Sequence, residues 1–125
     1  MNVLTLFVYG TLRAPAQNPF AILLRSRAVL LGLARVRGVL YHLGEYPGLI
    51  LSNTAGWVRG EVYRLTDEQL LIELDEYEGS SFERVTVDAL LDSSATERCW
   101  VYVYRGDVSG HPVIASGDYQ AASPP

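Results

Sequence analysis

Apolar positions open the chain as a short, nearly continuous run, Val3, Leu4, Leu6, Phe7 and Val8, which predicts a strand buried on both faces. Tyr9-Gly10-Thr11-Leu12 breaks it, and a glycine at the mouth of a buried strand permits unusual backbone angles or close approach of a ligand to the main chain. The peptide N–H groups of Gly10, Thr11 and Leu12 would then suit an anionic or carbonyl oxygen. A plain turn after an edge strand is the alternative. Asn18-Pro19 places a cap and an N1 proline in the favoured order, and Phe20, Leu23 and Leu24 give the short helix its apolar stripe. From Ala28 to Leu43 the chain is apolar and β-branched, interrupted by Gly32 and Gly38, a pattern of strands bent at glycines. Glu45-Tyr46-Pro47-Gly48 predicts a turn, Leu49–Leu51 a strand, and Trp57 to Leu65 a further strand with imperfect alternation.

The one long helix is predicted to start at Thr66, where Thr66-Asp67-Glu68-Gln69 has the spacing of a capping box, and to stop at Gly79. At roughly 100° per residue from Leu70, Leu74 falls near 40°, Leu71 near 100°, Tyr77 near 340° and Glu78 near 80°. Glu78 therefore lies inside the apolar arc, whereas Glu73, Asp75 and Glu76 form a solvated face and Ile72 points outward. Such a carboxylate is paired, freed by an early helix end, or functional. Phe82 to Leu91 and Cys99 to Tyr104 are predicted strands joined through the polar segment Asp92–Glu97. Cys99, Val101 and Val103 alternate with Trp100, Tyr102 and Tyr104, so both faces are apolar or aromatic, as in a closed or covered sheet. Many strands, two helices and glycines at bends point to an α+β chain with a small barrel-like sheet and helices outside it.

Composition narrows the function. The apolar share of 49% and charged share of 19% are ordinary for a globular chain of 125 residues, which fits a single domain over residues 1–120 and a flexible tail over 121–125. All 10 cations are arginine, which excludes a phosphate-loop lysine and Schiff-base chemistry. A net charge of −4 argues against a nucleic-acid partner, and no segment has the length of a membrane span. Cys99 is the only cysteine, so neither a disulfide within the chain nor a multi-cysteine zinc site is possible, and a reducing cytoplasm is the expected location. No metal site is expected from two distant histidines, His42 and His111, and no pattern sets the oligomeric state.

Val8-Tyr9-Gly10-Thr11-Leu12, Gly60-Glu61-Val62-Tyr63 and Leu74-Asp75-Glu76-Tyr77-Glu78-Gly79, in that order, resemble the gamma-glutamylcyclotransferase-like family. Tyr46-Pro47-Gly48, Trp100-Val101-Tyr102-Val103-Tyr104 and Ile114-Ala115-Ser116-Gly117-Asp118-Tyr119 extend the likeness over nearly the whole chain. It is strongest toward the small gamma-glutamylamine cyclotransferase-type members. The resemblance implies a small mixed β-barrel with a few surrounding helices and a pocket at one mouth. It further implies a cofactor-independent intramolecular aminolysis that turns a small-molecule gamma-glutamyl amine or peptide into 5-oxoproline. Glu78 matches the family's acid/base, the loop Tyr9, Gly10, Thr11 and Leu12 its substrate-binding segment, and Tyr119 is expected at the pocket. The chain departs from the family at Phe82, often tyrosine there, and at Tyr119, often tryptophan, which leaves the substrate open.

Two other classes compete. A non-catalytic small-molecule binding protein needs only the barrel and the loop. A hydrolase built from Ser52, Ser80, Ser81 or Thr11 with His42 or His111 lacks the Gly-x-Ser-x-Gly elbow. Cys99 reads as a core residue because nothing nearby lowers its pKa.

Overall fold

The computed structural model describes residues 3–13 and 18–121. The strands are β1 (Thr5–Val8), β2 (Ala28–His42), β3 (Pro47–Leu51), β4 (Trp57–Leu65), β5 (Phe82–Leu91) and β6 (Thr96–Tyr104). They form one sheet in the order β3-β2-β4-β1-β6-β5, and β2 also pairs with β5. That last pairing joins Ala34 to Leu91 and Arg35 to Leu90. It closes five strands into a barrel and leaves β3 outside the ring, attached to β2. β1 runs parallel to β6 while the other pairs are antiparallel, so the barrel is mixed, as expected.

Strand parity divides the apolar residues between two cores. Phe7, Val36, Val58, Val62, Cys99, Val101 and Val103 fill the barrel. Leu6, Val8, Tyr63, Leu65 and Tyr102 face outward beneath α1 (Pro19–Ser26) and α2 (Gln69–Glu78), where Leu24, Leu70, Leu71 and Leu74 cover them. The two-faced apolar pattern of β6 is thus explained: one face is barrel, the other is helix-covered. The expected separate strands between Ala28 and Leu43 are one strand of 15 residues, kinked by a register shift between Leu30 and Gly32. Gly32, at φ 152°, supplies the backbone angle that the bulge requires.

Local expectations fail where a longer-range partner takes the group concerned. At α1, Asn18 caps as expected, its Oδ1 accepting from the Ala21 N–H at 2.8 Å. At α2 the capping box does not form, because the Thr66 hydroxyl donates to the Arg27 carbonyl oxygen at 3.0 Å. Asp67 Oδ1 instead accepts from the Leu70 N–H at 3.2 Å, and the helix begins at Gln69. It ends at Gly79, whose φ of 80° lies in the left-handed region. Pro47 and Gly48, expected in a turn, begin β3, and Thr96 and Glu97, expected in the connection, begin β6. Of the expected tail, residues 122–125 lie outside the described residues, and Tyr119–Ala121 form a 3-10 turn.

Gly60 on β4 lies where β1 crosses it closely. A Cβ at that position would overlap the Val8 carbonyl oxygen and sit 2.6 Å from the Phe7 ring. Gly60→Ala is expected to destabilise the protein by about 1–3 kcal/mol, because a methyl group must displace the strand that leads into the Tyr9 loop. Thermal unfolding checks this; an unchanged Tm would show that β1 shifts at no cost.

Candidate active site

Where β1 ends, the chain from Phe7 to Leu12 forms one wall of a cavity of about 260 Å³ at the rim between barrel and helices. The β2–β3 turn (Glu45, Tyr46) and the first residue of β3, Pro47, form a second wall, and Tyr77 and Glu78 from the end of α2 form a third. Phe82 and Tyr102 complete it. Gly10, Thr11 and Leu12 therefore share one cavity with Glu78, although 65 or more residues of sequence separate them.

The loop is held from several sides. The Arg13 N–H donates to the Gly10 carbonyl at 3.0 Å, so the turn closes through Arg13 and not through the three amides before it. Asn18, besides capping α1, donates from Nδ2 to the Thr11 carbonyl at 2.6 Å. The Thr11 hydroxyl shares a 2.8 Å hydrogen bond with the Tyr77 hydroxyl, tying the loop to the last turn of α2. Arg13, only 5% exposed, reaches the Asp118 carboxylate at 2.8 Å. Gly10 does not adopt a left-handed φ; glycine is needed because a Cβ would stand 2.6 Å from Pro47 Cγ. The close neighbour of the main chain is therefore the β3 proline, a reason that the sequence pattern does not reveal.

Below the loop, Tyr9 is buried and its hydroxyl is engaged twice, donating to the Tyr102 carbonyl at 2.6 Å and accepting from the Leu49 N–H at 3.2 Å. Burial, with the nearby Glu78 charge second, raises its pKa far above the phenolic range. Tyr9 is thus held as a neutral phenol that fixes β6 and β3 relative to the loop. Tyr63 donates to the buried Glu61 at 3.1 Å and is pushed up to about 12, chiefly by burial.

Two carboxylates three residues apart on α2 have opposite fates. Asp75, expected on a solvated face, accepts from Arg84 Nε at 2.7 Å and from the Tyr102 hydroxyl at 2.7 Å. These bonds hold its pKa below the usual value against the opposing effect of burial. Glu78 is half-buried, and desolvation lifts its pKa from 4.5 to about 7, with no compensating cation. A carboxyl that titrates near neutrality inside a cavity can exchange a proton in either direction.

Other expected site residues are placed elsewhere. Tyr119 lies outside the cavity lining; its hydroxyl donates to the Glu45 carbonyl at 3.4 Å, so it braces the wall from behind. Tyr77 and Tyr102 join the lining without being expected there, the first from the last turn of α2 and the second from β6. Cys99 is buried in the barrel, which pushes its thiol up to about 11. His42 accepts from the Gly44 N–H at 3.3 Å and stands near Tyr119. Among the described residues no group of three His, Cys, Asp or Glu side chains gathers in a metal-binding arrangement. No helix among them is long and apolar enough to cross a membrane.

The chain is thus an α+β protein: a five-strand mixed barrel with two outer helices and a cavity that joins a post-strand loop to a desolvated glutamate. The family model for "Gamma-glutamyl cyclotransferase, AIG2-like" matches residues 6–121, and the chain belongs to that family. It is 38% identical over 117 residues to the gamma-glutamylcyclotransferase family protein YtfP of Escherichia coli (strain K12), covering 91% of this chain and 94% of that protein. It is 37% identical over 109 residues to the gamma-L-glutamyl-butirosin B gamma-glutamyl cyclotransferase of Niallia circulans, covering 82% of this chain and 67% of that one. The crystal structure of an AIG2-like protein from Mus musculus shares the fold, with a TM-score of 0.75, 23% identity, and coverage of 100% of this chain and 98% of that one.

Two outcomes are expected from the site's electrostatics. The folded-state pKa of Glu78 lies above its ordinary value of 4.5, so between 4.5 and about 7 the folded protein holds more protons than the unfolded chain. Stability contributed by the protonated group therefore falls as pH rises through that window. Glu78→Gln is expected to stabilise the protein by roughly 1–3 kcal/mol above pH ~8 and by far less near pH ~4, read from urea unfolding at both pH values. Asp118→Asn, by contrast, leaves the buried Arg13 guanidinium short of its counter-charge and is expected to cost about 1–3 kcal/mol. Equal unfolding midpoints for that variant and the parent would show that the loop does not depend on the pair.

Proposed function

We propose that this protein is a gamma-glutamyl cyclotransferase that converts a gamma-glutamyl amine or peptide to 5-oxoproline and a free amine. The observation that carries this reading is a glutamate with a pKa of about 7 sharing one cavity with the loop Gly10–Leu12. Membership of the family and the activity for which the Niallia circulans relative is named support it.

In this scheme the substrate's alpha-carboxylate binds main-chain N–H groups of the Tyr9–Leu12 loop. Glu78 removes a proton from the alpha-ammonium, freeing its lone pair. The nitrogen attacks the gamma-carbonyl carbon of the same molecule, forming the C–N bond of a five-membered lactam. The ring nitrogen of the adduct gives up a second proton as the original amide C–N bond breaks, and Glu78, accepting and releasing the two protons in turn, passes both to the departing nitrogen, which leaves as an ammonium; the enzyme ends as it began. No water or redox partner enters the balance. Holding a flexible substrate in a ring-closing pose supplies much of the rate, since both reacting groups belong to one molecule. The raised pKa suits both proton transfers, because a carboxyl that titrates near 4 is a poor base toward an ammonium and a reluctant donor afterwards.

Incubation with gamma-glutamyl amines and dipeptides, with 5-oxoproline quantified, tests the proposal. The kcat/KM of the parent should rise with pH through about 7, as the Glu78 carboxyl of the free enzyme ionises. Glu78→Gln should lower kcat by about 10²- to 10⁴-fold. Undiminished product from that variant would remove Glu78 from the mechanism. Tight retention of substrate with no product, in parent and variant alike, would replace the enzyme with a binding protein.

A further inference from the structure

The cavity is chemically one-sided. Its interior end is buried at Phe7, Val8, Tyr9 and Leu12, whereas its open end is exposed at Glu45 and Tyr46. Tyr46 is 40% exposed and meets the Phe82 ring edge-on at 5.8 Å; Tyr77 stands opposite, its ring 4.5 Å from Phe20. The acidic residues of the lining are Glu45 and Glu78, and the lining contains no arginine. This chain has no lysine, and all 10 of its arginines lie among the described residues, so no basic side chain remains to be placed there. Arg84 and Arg105, the arginines nearest to Phe82 in the β5–β6 hairpin, are engaged by Asp75 and Glu83 at 2.7 and 2.6 Å.

We propose that the mouth of this cavity selects gamma-glutamyl compounds whose departing amine carries a positive charge and no carboxylate, with Glu45 and the Tyr46–Phe82 ring pair as specificity-determining groups. The inference rests on the cyclotransferase reading of the site. With the glutamyl end at the Gly10–Leu12 amides and the reacting carbonyl at Glu78, the departing portion extends toward the open end. A cation there meets aromatic ring faces, which carry negative potential, and an acidic side chain. A carboxylate meets the same groups with no cation to neutralise it and loses hydration without replacement. The alpha-carboxylate is served by main-chain N–H groups; a second carboxylate has no such partner at the mouth. A neutral alkylamine lies between the two extremes.

Three substrates of matched length test this: gamma-glutamyl amides of a four-carbon diamine, of n-butylamine, and of the four-carbon amino acid with a terminal carboxylate. At low ionic strength and near-neutral pH, kcat/KM should fall in that order, with about tenfold between the diamine and carboxylate compounds. Added salt should shrink the ratio, because Glu45 is exposed. Glu45→Gln should narrow it, and Glu45→Arg should bring the carboxylate compound level with or above the diamine compound. Equal kcat/KM for all three substrates, or a ratio that Glu45→Arg does not move, would overturn the assignment. If none of the three yields 5-oxoproline, the cyclotransferase reading falls on its own. The ranking is then taken from Kd by titration calorimetry on Glu78→Gln: charge-ordered Kd values support the mouth's selectivity and equal values overturn it.

Discussion

The structure depends on closing a ring with very little backbone. Ala34–Leu91 and Arg35–Leu90, with the Asp92 N–H donating to the Leu33 carbonyl at 3.0 Å, join β2 to β5; without them β5 and the part of β2 before Gly38 would be open edges and the interior would face water. Their placement relies on the bulge at Gly32, which turns β2 so that it pairs with β4 along most of its length and still reaches β5 at its centre. Closure puts Phe7, Val62, Val101 and Val103 into a sealed core and fixes the end of β1. The Tyr9 loop then starts from a rigid base, and its hydrogen bonds to Asn18, Tyr77 and Pro47's strand neighbours refine a position already set by packing.

Desolvation acts on that base selectively. Asp75 and Glu78 belong to the same helix, three residues apart, and their backbone positions differ little in character. The difference lies in company: Asp75 has a guanidinium and a phenol within hydrogen-bonding reach and is held ionised, while Glu78 has buried surroundings and is held near neutrality. Two similar groups thereby differ, one joining α2 to β5 and β6 as an ion, the other titrating near neutral pH.

How far the sequence discloses this follows the range of the interactions. The end of α2 at Gly79, the cap at Asn18 and the two-faced alternation of β6 are legible because each depends on neighbours a few residues away. Glu78 is legible as an anomaly because a helical wheel is local geometry. The capping box at Thr66 fails because Arg27, 39 residues distant, offers its carbonyl to the same hydroxyl. Asp75 stays partly exposed, as its helix position suggests, but its partners are not visible from the helix, because Arg84 and Tyr102 are cross-strand neighbours in the β5–β6 hairpin that packs beside it. Gly10 is marked as special by its position, but the reason, the Pro47 ring, lies on a strand whose sequence has the look of a turn.

The same division of range bears on how the two halves of the site can vary. The inner half sits on regular elements: β1 supplies the entry to the loop and α2 supplies Glu78, both backed by buried cores, so substitutions there disturb packing first. The mouth is made of a turn and a strand start. Glu45 and Tyr46 are exposed, and Phe82 packs edge-on between Tyr46 and Tyr104 at 5.8 and 5.4 Å without anchoring the barrel. The Phe82 ring offers a face and no hydroxyl, which leaves the polarity of the open end to Glu45. On the proposed reading, selectivity is a matter of charge and ring faces at this rim, placed over a carboxyl whose position the barrel and α2 fix.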